Sequence, residues 1–330
     1  MYIVERSLDD VLRRVLQKLL VSKNVITPVR GSATEIIGAL LVIRNPRARL
    51  SRTERRGKIF SSLGEWLWYL SKDNKLDFIE YYIPKYREES EDGLRVRGGY
   101  GPRLFGADTI NQVERCIQKL RESPDSRKAV IQLFEASDLN GKVKNPPCTC
   151  TLQFFARNGK LAMMTHMRSN DAYKGLPHDV FAFTMLQELV AQSLSLPLGF
   201  YCHAVGSLHL YDSDRKNAAA VINEGWQSTV AMPPMPKGDP WNSIEKLLEV
   251  EIKLRKGHSI DIATRDLESY WGDLGRLLEV FAIKKEDGSA HGKITALKKA
   301  MSCRVYDPYI RGRLITVERF QELKPKESDA

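Results

Sequence analysis

The sequence predicts an α/β (α+β) fold: a body over residues 1–228, and a mainly helical extension over 229–330 that packs on it. Three observations lead there. Strand-like apolar runs alternate with amphipathic helical runs through the first two thirds of the chain. The proline-rich connector AMPPMPKGDP then changes the texture, and helical spacing takes over after it. With 330 residues, 42% of them hydrophobic, the chain can bury one large core or two modest ones.

The elements follow in order. Leu8, Val11, Leu12, Val15, Leu19 and Leu20 recur at helical spacing, so residues 5–22 read as an amphipathic helix and not as a signal peptide. Ile36, Ile37 and the run Leu40–Ile43 suggest strands, with Arg30-Gly31 in a turn before them. A helix begins near Lys58 and carries an unusually aromatic face, with Glu65 inside it. The segment 71–105, rich in Tyr and Gly, has the composition of a loop lining a site. Residues 108–121 are helical, SPDSRK turns, and AVIQLFE is a strand. Lys160–Met167 is another strand. Asp179–Leu196 is a strongly apolar helix, LGFYCHAVGSLHLY returns to strand, and 212–224 is helical. Beyond the connector come three helices, and 305–320 reads as strand or loop.

Composition limits the function classes. No run of about 18 apolar residues appears, so no membrane span is expected. Five scattered cysteines point to a reducing compartment, and hence to the cytoplasm. The net charge of +10 suits an anionic partner or simple solubility. Without zinc-finger spacing, an aromatic RNA-binding signature or a long Lys/Arg block, nucleic acid is not the expected partner.

The chemistry-bearing residues concentrate in 144–179. Cys148 follows Pro146-Pro147, which fixes its presentation. A thiolate is a strong soft nucleophile whose pKa falls near cations, and Arg168 and the Arg127-Lys128 pair can supply that charge. The alternative is a small buried cysteine. Glu65, among Trp66, Trp68 and Tyr69, should have a raised pKa suited to acid/base work; the alternative is a salt-bridged core glutamate. His209 and Tyr211 lie two residues apart on one strand face. His203 reads as a core hydrogen-bonding histidine.

Taken together, the motifs resemble the folate-dependent thymidylate synthase and deoxycytidylate hydroxymethylase family over roughly residues 5–215. They are Arg30-Gly31, Glu65 in GEWLWYL, Tyr100-Gly101, Pro124-Asp125-Ser126-Arg127-Lys128, Pro-Pro-Cys148 with Gln153-Phe154, Arg168-Ser169-x-Asp171 with Gly175-Leu176-Pro177, and His203-x-x-Gly206-x-x-His209-x-Tyr211. The resemblance implies a mixed sheet with flanking helices and a homodimer formed through the sheet. It implies 5,10-methylenetetrahydrofolate as co-substrate, with Tyr86, Asp171 and Gly175 in its pocket. It implies a nucleoside 5′-monophosphate whose phosphate is gripped by Arg30, Arg168 and, across the dimer interface, Arg127 and Lys128. Ser169, Asp171 and Gly175 would join these, and His209 and Tyr211 would take the sugar 3′-hydroxyl. Cys148 would be the nucleophile and Glu65 the acid/base.

The most informative departure is Asp179, where the resemblance leads one to expect asparagine in a synthase. A carboxyl that shares one proton with ring nitrogen 3 complements cytosine, whereas an amide suits uracil. The sequence therefore points to the hydroxymethylase branch: a cytidylate substrate, with water as the terminal reagent. Other departures are Thr149 for histidine, His178 for phenylalanine, Ser207 for aspartate, and tyrosines where tryptophans usually pack the folate. The tail LKPKESDA does not resemble the short apolar terminus that closes synthase sites against water. Two rival readings are an ordinary thymidylate synthase acting on dUMP, and an inactive nucleotide- or RNA-binding regulator.

Overall fold

The computed structural model describes residues 1–106, 110–141, 143–262 and 266–322. Two compact units divide at Pro240.

The first unit is built on a seven-stranded mixed sheet. β1 (Tyr2–Glu5) leads through α1 (Leu8–Val21) to the two-residue β2 (Val25–Ile26) and the long β3 (Ala33–Ile43). The aromatic helix is α2 (Ile59–Leu70), followed by α3 (Leu76–Tyr82), a 3-10 turn (Pro84–Glu89), α4 (Tyr100–Phe105) and α5 (Gln112–Glu122). Then come β4 (Val130–Gln132), β5 (Thr149–Arg157), β6 (Lys160–Asp171), α6 (Gly175–Ser193), β7 (Leu198–Tyr211) and α7 (Arg215–Asn223). The strand order is β1-β3-β7-β6-β5-β4, with β2 paired to β3. β6 and β7 run parallel, so a crossover must join them, and α6 is that crossover. α1 plays the same part between the parallel β1 and β3. One result is that the end of β6 and the start of α6 lie beside the end of β7, with Asp171 opposite His209.

Alternating burial along β5 and β6 turns Leu152, Phe154, Leu161, Met163, Thr165 and Met167 into the core. α6 is apolar nearly all round, and fourteen of its residues are buried, as expected of a helix sheathed by protein. Among the described residues, no helix is long and apolar enough to cross a membrane.

Three expectations need correction. The first strand was absent from the sequence reading: Tyr2–Glu5 pairs with Leu40–Ile43, and the helix starts only at Leu8 behind the N-cap Ser7. The segment 71–105 is not a loop throughout, because Leu76, Phe78, Ile79 and Tyr82 are buried on α3, and Leu104 and Phe105 on α4. The stretch after Tyr306 is neither strand nor loop but α11 (Asp307–Glu322), whose Ile310 and Val317 lie seven apart, two turns, in the core.

The second unit, from Trp241, is helical: α8 (Trp241–Arg255), α9 (Ser269–Ala282) and α10 (Ala290–Ala300) precede α11. Its buried Asp273 accepts the backbone N–H groups of Ser302 and Cys303 at 2.9 Å each. The connector ahead of it, in the first unit, is held by Met232 N–H on the Arg47 carbonyl at 2.8 Å.

One buried acid makes the first unit sensitive to pH. Asp9, in the first turn of α1, accepts the Arg52 N–H at 2.6 Å, and burial raises its pKa to about 6. A carboxyl whose folded pKa lies above its unfolded value stabilises the native state at low pH, and that stability is lost as pH rises from about 4 to about 6. The loss amounts to roughly 2–3 kcal/mol. Asp9→Asn keeps an acceptor for Arg52 and cannot ionise. Urea unfolding should show it gaining on the wild type across that pH window; a constant difference between the two proteins would contradict the argument.

Candidate active site

Cys148 stands at the end of the turn that leads into β5, and its neighbours hold it there without using the thiol. The carbonyls of Pro146 and Pro147 accept from Arg168 Nη2 at 2.8 Å and Nε at 3.0 Å. The Arg168 backbone N–H donates to the Cys148 carbonyl at 2.8 Å. The guanidinium is thereby locked beside the sulfur, with Nη2 3.8 Å from Sγ. On the other side, the Tyr100 hydroxyl oxygen accepts the Thr149 N–H at 3.2 Å. The loop before Tyr100 comes so close that a Cβ on Gly98 would lie 2.3 Å from the Asn145 carbonyl oxygen. Only glycine permits that approach.

The residue is exposed as a whole, while protein crowds its thiol. Burial pushes the thiol pKa up; Arg168 and Arg30 pull it down, and Asp179 and Glu89 push it up further. Asp179 therefore lies within electrostatic reach of Cys148, in the region around the sulfur.

Two carboxyls complete that region. Glu65 is buried on α2 and accepts a hydrogen bond from the Tyr86 hydroxyl. Burial raises its pKa, against hydrogen bonds from Tyr86 and Tyr69 that lower it. Asp179, in the first turns of α6, is raised well above the ordinary carboxylate range by burial and then by the charge of Glu65; the Asn170 hydrogen bond opposes this. The aromatic wall is Trp68, Tyr69, Tyr86 and Tyr100. Trp68 and Tyr86 meet edge to face, with ring centroids 5.3 Å apart, and Tyr69 and Tyr100 lie 5.0 Å apart. Tyr86, which the sequence assigned to the folate pocket, thus touches Glu65 directly.

The anion-binding candidates divide. Arg30, in the turn before β3, pairs with Glu89 and reaches Asn145 Oδ1 at 3.3 Å. Its charge acts on Cys148 and on Tyr211, so it belongs to the same cluster as Arg168. Arg127 and Lys128 are exposed in the turn before β4. Lys128 lines a surface groove with Arg115, Lys119 and Glu135, none of which belongs to the Cys148 cluster. Within one chain these two cations are not brought to the sulfur.

The sugar-strand residues sit at the open end of β7. The His209 and Tyr211 rings meet edge to face at 5.0 Å. Tyr211 is raised by burial and feels Arg30, Asp171 and Cys148. Ser169 lies opposite Ser207 across the β6–β7 pair. Asp171 Oδ1 caps the turn into α6 by accepting the N–H groups of Tyr173 at 2.8 Å and Lys174 at 2.9 Å. Gly175 opens the helix.

Sequence reasoning missed Asn170, whose Nδ2 donates to Asp179 Oδ2 at 2.7 Å. Asn170 stood between two quoted motif residues, and only the strand register shows what it touches. The tail 323–330, which bears on the choice between hydride and water, lies outside the described residues. A family model described as thymidylate synthase matches residues 46–247, more than half of the chain. That span includes Glu65, Cys148, Arg168, Asp179 and the whole β5–β7 unit.

Proposed function

The chain belongs to the thymidylate synthase family, whose chemistry is one-carbon transfer to carbon 5 of a pyrimidine nucleotide with methylenetetrahydrofolate as co-substrate; from that premise we propose that it is a cytidylate 5-hydroxymethyltransferase. One observation carries the substrate assignment: the Asp179 carboxyl, held well above the ordinary carboxylate range by burial and then by the charge of Glu65, lies within electrostatic reach of both Cys148 and Glu65. A carboxyl that holds its proton more tightly than usual can share it with an unprotonated ring nitrogen 3, which cytosine offers, whereas nitrogen 3 of uracil already carries a hydrogen.

The chain's own groups then have defined tasks. The Cys148 thiolate adds to electron-poor carbon 6, and Arg168 beside it stabilises the sulfur anion before attack. Asp179 offers ring nitrogen 3 a proton as electron density moves into the ring. Carbon 5 becomes nucleophilic and accepts the one-carbon unit, which methylenetetrahydrofolate supplies at the oxidation level of formaldehyde. A base removes the carbon 5 proton as the bond between the one-carbon unit and the folate amine breaks, so tetrahydrofolate leaves and the pyrimidine carries an exocyclic methylene to which water adds. Glu65, with Tyr86 as its hydrogen-bond donor, holds and moves protons at the added carbon and orients the water that ends as the hydroxyl group. Expulsion of the sulfur regenerates Cys148.

The residues present fit a folate. Tyr86, half-buried beside Glu65 and backed edge to face by the buried Trp68, offers an aromatic face for a flat heterocycle. Asp171 uses Oδ1 on the backbone, which leaves Oδ2 for a polar ring edge. Arg30 and Arg168 suit a phosphate dianion. We place Arg127 and Lys128 opposite the phosphate of a second subunit in a homodimer formed through the sheet. The large exposure of Ile37 (73%) and Phe200 (52%) on β3 and β7 supports that arrangement.

The test is tritium release from carbon 5 of CMP, dCMP, UMP and dUMP, followed by product mass. Release from cytidylates with a hydroxymethyl product is expected. Release from uridylates alone, or a methyl product, refutes the assignment. Asp179→Asn is expected to move the kcat/KM ratio toward uracil nucleotides by about tenfold or more, since a mismatched buried polar pair costs ~1–3 kcal/mol. An unchanged ratio would remove Asp179 from base recognition.

A further inference from the structure

Behind Asp179 runs a buried chain of hydrogen bonds that the mechanism does not use. Asn170 Nδ2 donates to Asp179 Oδ2 at 2.7 Å. Asn170 Oδ1 lies 2.9 Å from His203 Nε2, and His203 Nδ1 lies 2.7 Å from the Tyr201 hydroxyl. Tyr201 in turn is 3.1 Å from the Thr165 hydroxyl. Thr165, Tyr201 and His203 are fully buried, and Asn170 is nearly so. The parallel register fixes the layout by setting Thr165 opposite His203. The packing also guards the first link: a Cβ on Gly175 would fall 2.8 Å from Asn170 Nδ2 and 3.4 Å from Asp179 Oδ2.

We propose that His203, acting through Asn170, keeps the proton of Asp179 off its Oδ2 atom and so turns a symmetric carboxyl into a one-way reader of the pyrimidine edge. This rests on the reading that Asp179 faces the base. His203 is neutral, since burial lowers its pKa to about 3, so one ring nitrogen donates and the other accepts. Asn170 Oδ1 can only accept, so His203 Nε2 carries the hydrogen. His203 Nδ1 is then an acceptor facing the Tyr201 hydroxyl, whose single proton it shares with Thr165 Oγ1 in a three-centre bond. Asn170 is left with one orientation, amide nitrogen toward Asp179, and Oδ2 stays an acceptor. Any proton on Asp179 must sit on Oδ1.

The consequence is discrimination. A nucleobase that turns ring nitrogen 3 toward Oδ1 and its 4-substituent toward Oδ2 is matched when it is cytosine. Nitrogen 3 then shares the Oδ1 proton, and the 4-amino group donates to Oδ2. Uracil in that pose sets its carbonyl oxygen against an oxygen that has no proton to offer. Without the relay, the Asn170 amide can turn over and its oxygen can take a proton from Oδ2. The carboxyl then accommodates either base. His203 and Asn170 are therefore positioning residues for base choice, not catalytic ones.

The experiment is calorimetric binding of CMP, dCMP, UMP and dUMP to the full chain, with thermal melting to establish that each variant folds. The readout is the ratio of cytidylate to uridylate affinity. Asn170→Ala and His203→Phe are expected to collapse a wild-type preference of about tenfold or more to within about threefold of unity. Tyr201→Phe should lower it part of the way. If His203→Phe does not fold, Asn170→Ala and Tyr201→Phe decide the matter. A folded Asn170→Ala or His203→Phe that keeps the wild-type ratio overturns the proposal, as does a wild type with no preference. A wild type that favours uridylates, with a ratio that still collapses in the variants, sinks the cytidylate assignment and leaves the relay standing. If Asp179→Asn leaves the ratio unchanged, both fall.

Discussion

Cys148→Ser is expected to lower turnover by at least about 10⁴-fold while nucleotide affinity changes only a few-fold. Everything fixed around position 148 is fixed through the backbone or through Arg168, whose guanidinium is held by the Pro146 and Pro147 carbonyls. A serine should therefore sit where the sulfur sits, and the phosphate and base contacts should survive. What is lost is the anion. The thiol is already raised above its ordinary pKa by burial and by Asp179, with Arg168 and Arg30 only partly opposing. An alcohol begins several orders of magnitude less acidic, and the cations beside it cannot make up that gap. The same balance predicts that the wild-type rate rises with pH as the thiolate population grows. Carbon 5 tritium release measures turnover, and calorimetry measures affinity. Retention of more than about 1% of the wild-type rate in Cys148→Ser would move the nucleophile elsewhere.

How much of this was legible in the sequence depends on whether a feature is local. β6, α6 and β7 could be read because each carries its own signal: the strand pattern of Lys160–Met167, the apolar helical run from Asp179, and the strand-like LGFYCHAVGSLHLY. Cys148, Glu65 and Asp179 could be picked out as candidates for the same reason, each being a reactive type in a constrained local setting. Tyr2–Glu5 was not, because four residues give too short a pattern, and their strand identity comes from pairing with Leu40–Ile43. The helix α3 was hidden by its tyrosines, which suggest a loop but bury Tyr82 with Phe78 and Ile79. Ile310 and Val317 were lost among the β-branched residues of α11. The Asn170–His203 contact joins positions 33 apart in the chain, and it appears only when the register of β6 against β7 is known. Arg127 and Lys128 mark a different limit: they are exposed in the turn before β4, Lys128 on a groove with Arg115 and Lys119, and the task proposed for them needs a second subunit that one chain does not contain.

Breaking the buried ion pair of Arg49 and Glu188 should have the largest effect on stability. Both side chains are essentially inaccessible to solvent, at 0% and 1%. Glu188 projects from the apolar helix α6 and uses its oxygens on Arg49 and on the Met235 N–H, at 3.1 Å for the latter. The pair thus ties the segment before α2 and the proline-rich connector to the central helix. Glu188→Leu strands a guanidinium in the core and should cost roughly 3–5 kcal/mol in urea unfolding. The pair itself need not stabilise the fold, because Arg49 Nε and Nη1 have no hydrogen-bond partner among the described residues. Desolvation is thus only partly offset. The double replacement Arg49→Met with Glu188→Leu removes both charges and keeps the volume. It should recover most of the loss, to within about 1–2 kcal/mol of the wild type. A double variant no more stable than Glu188→Leu alone would mean that the two charges hold the connector in place by a geometry that apolar packing cannot replace.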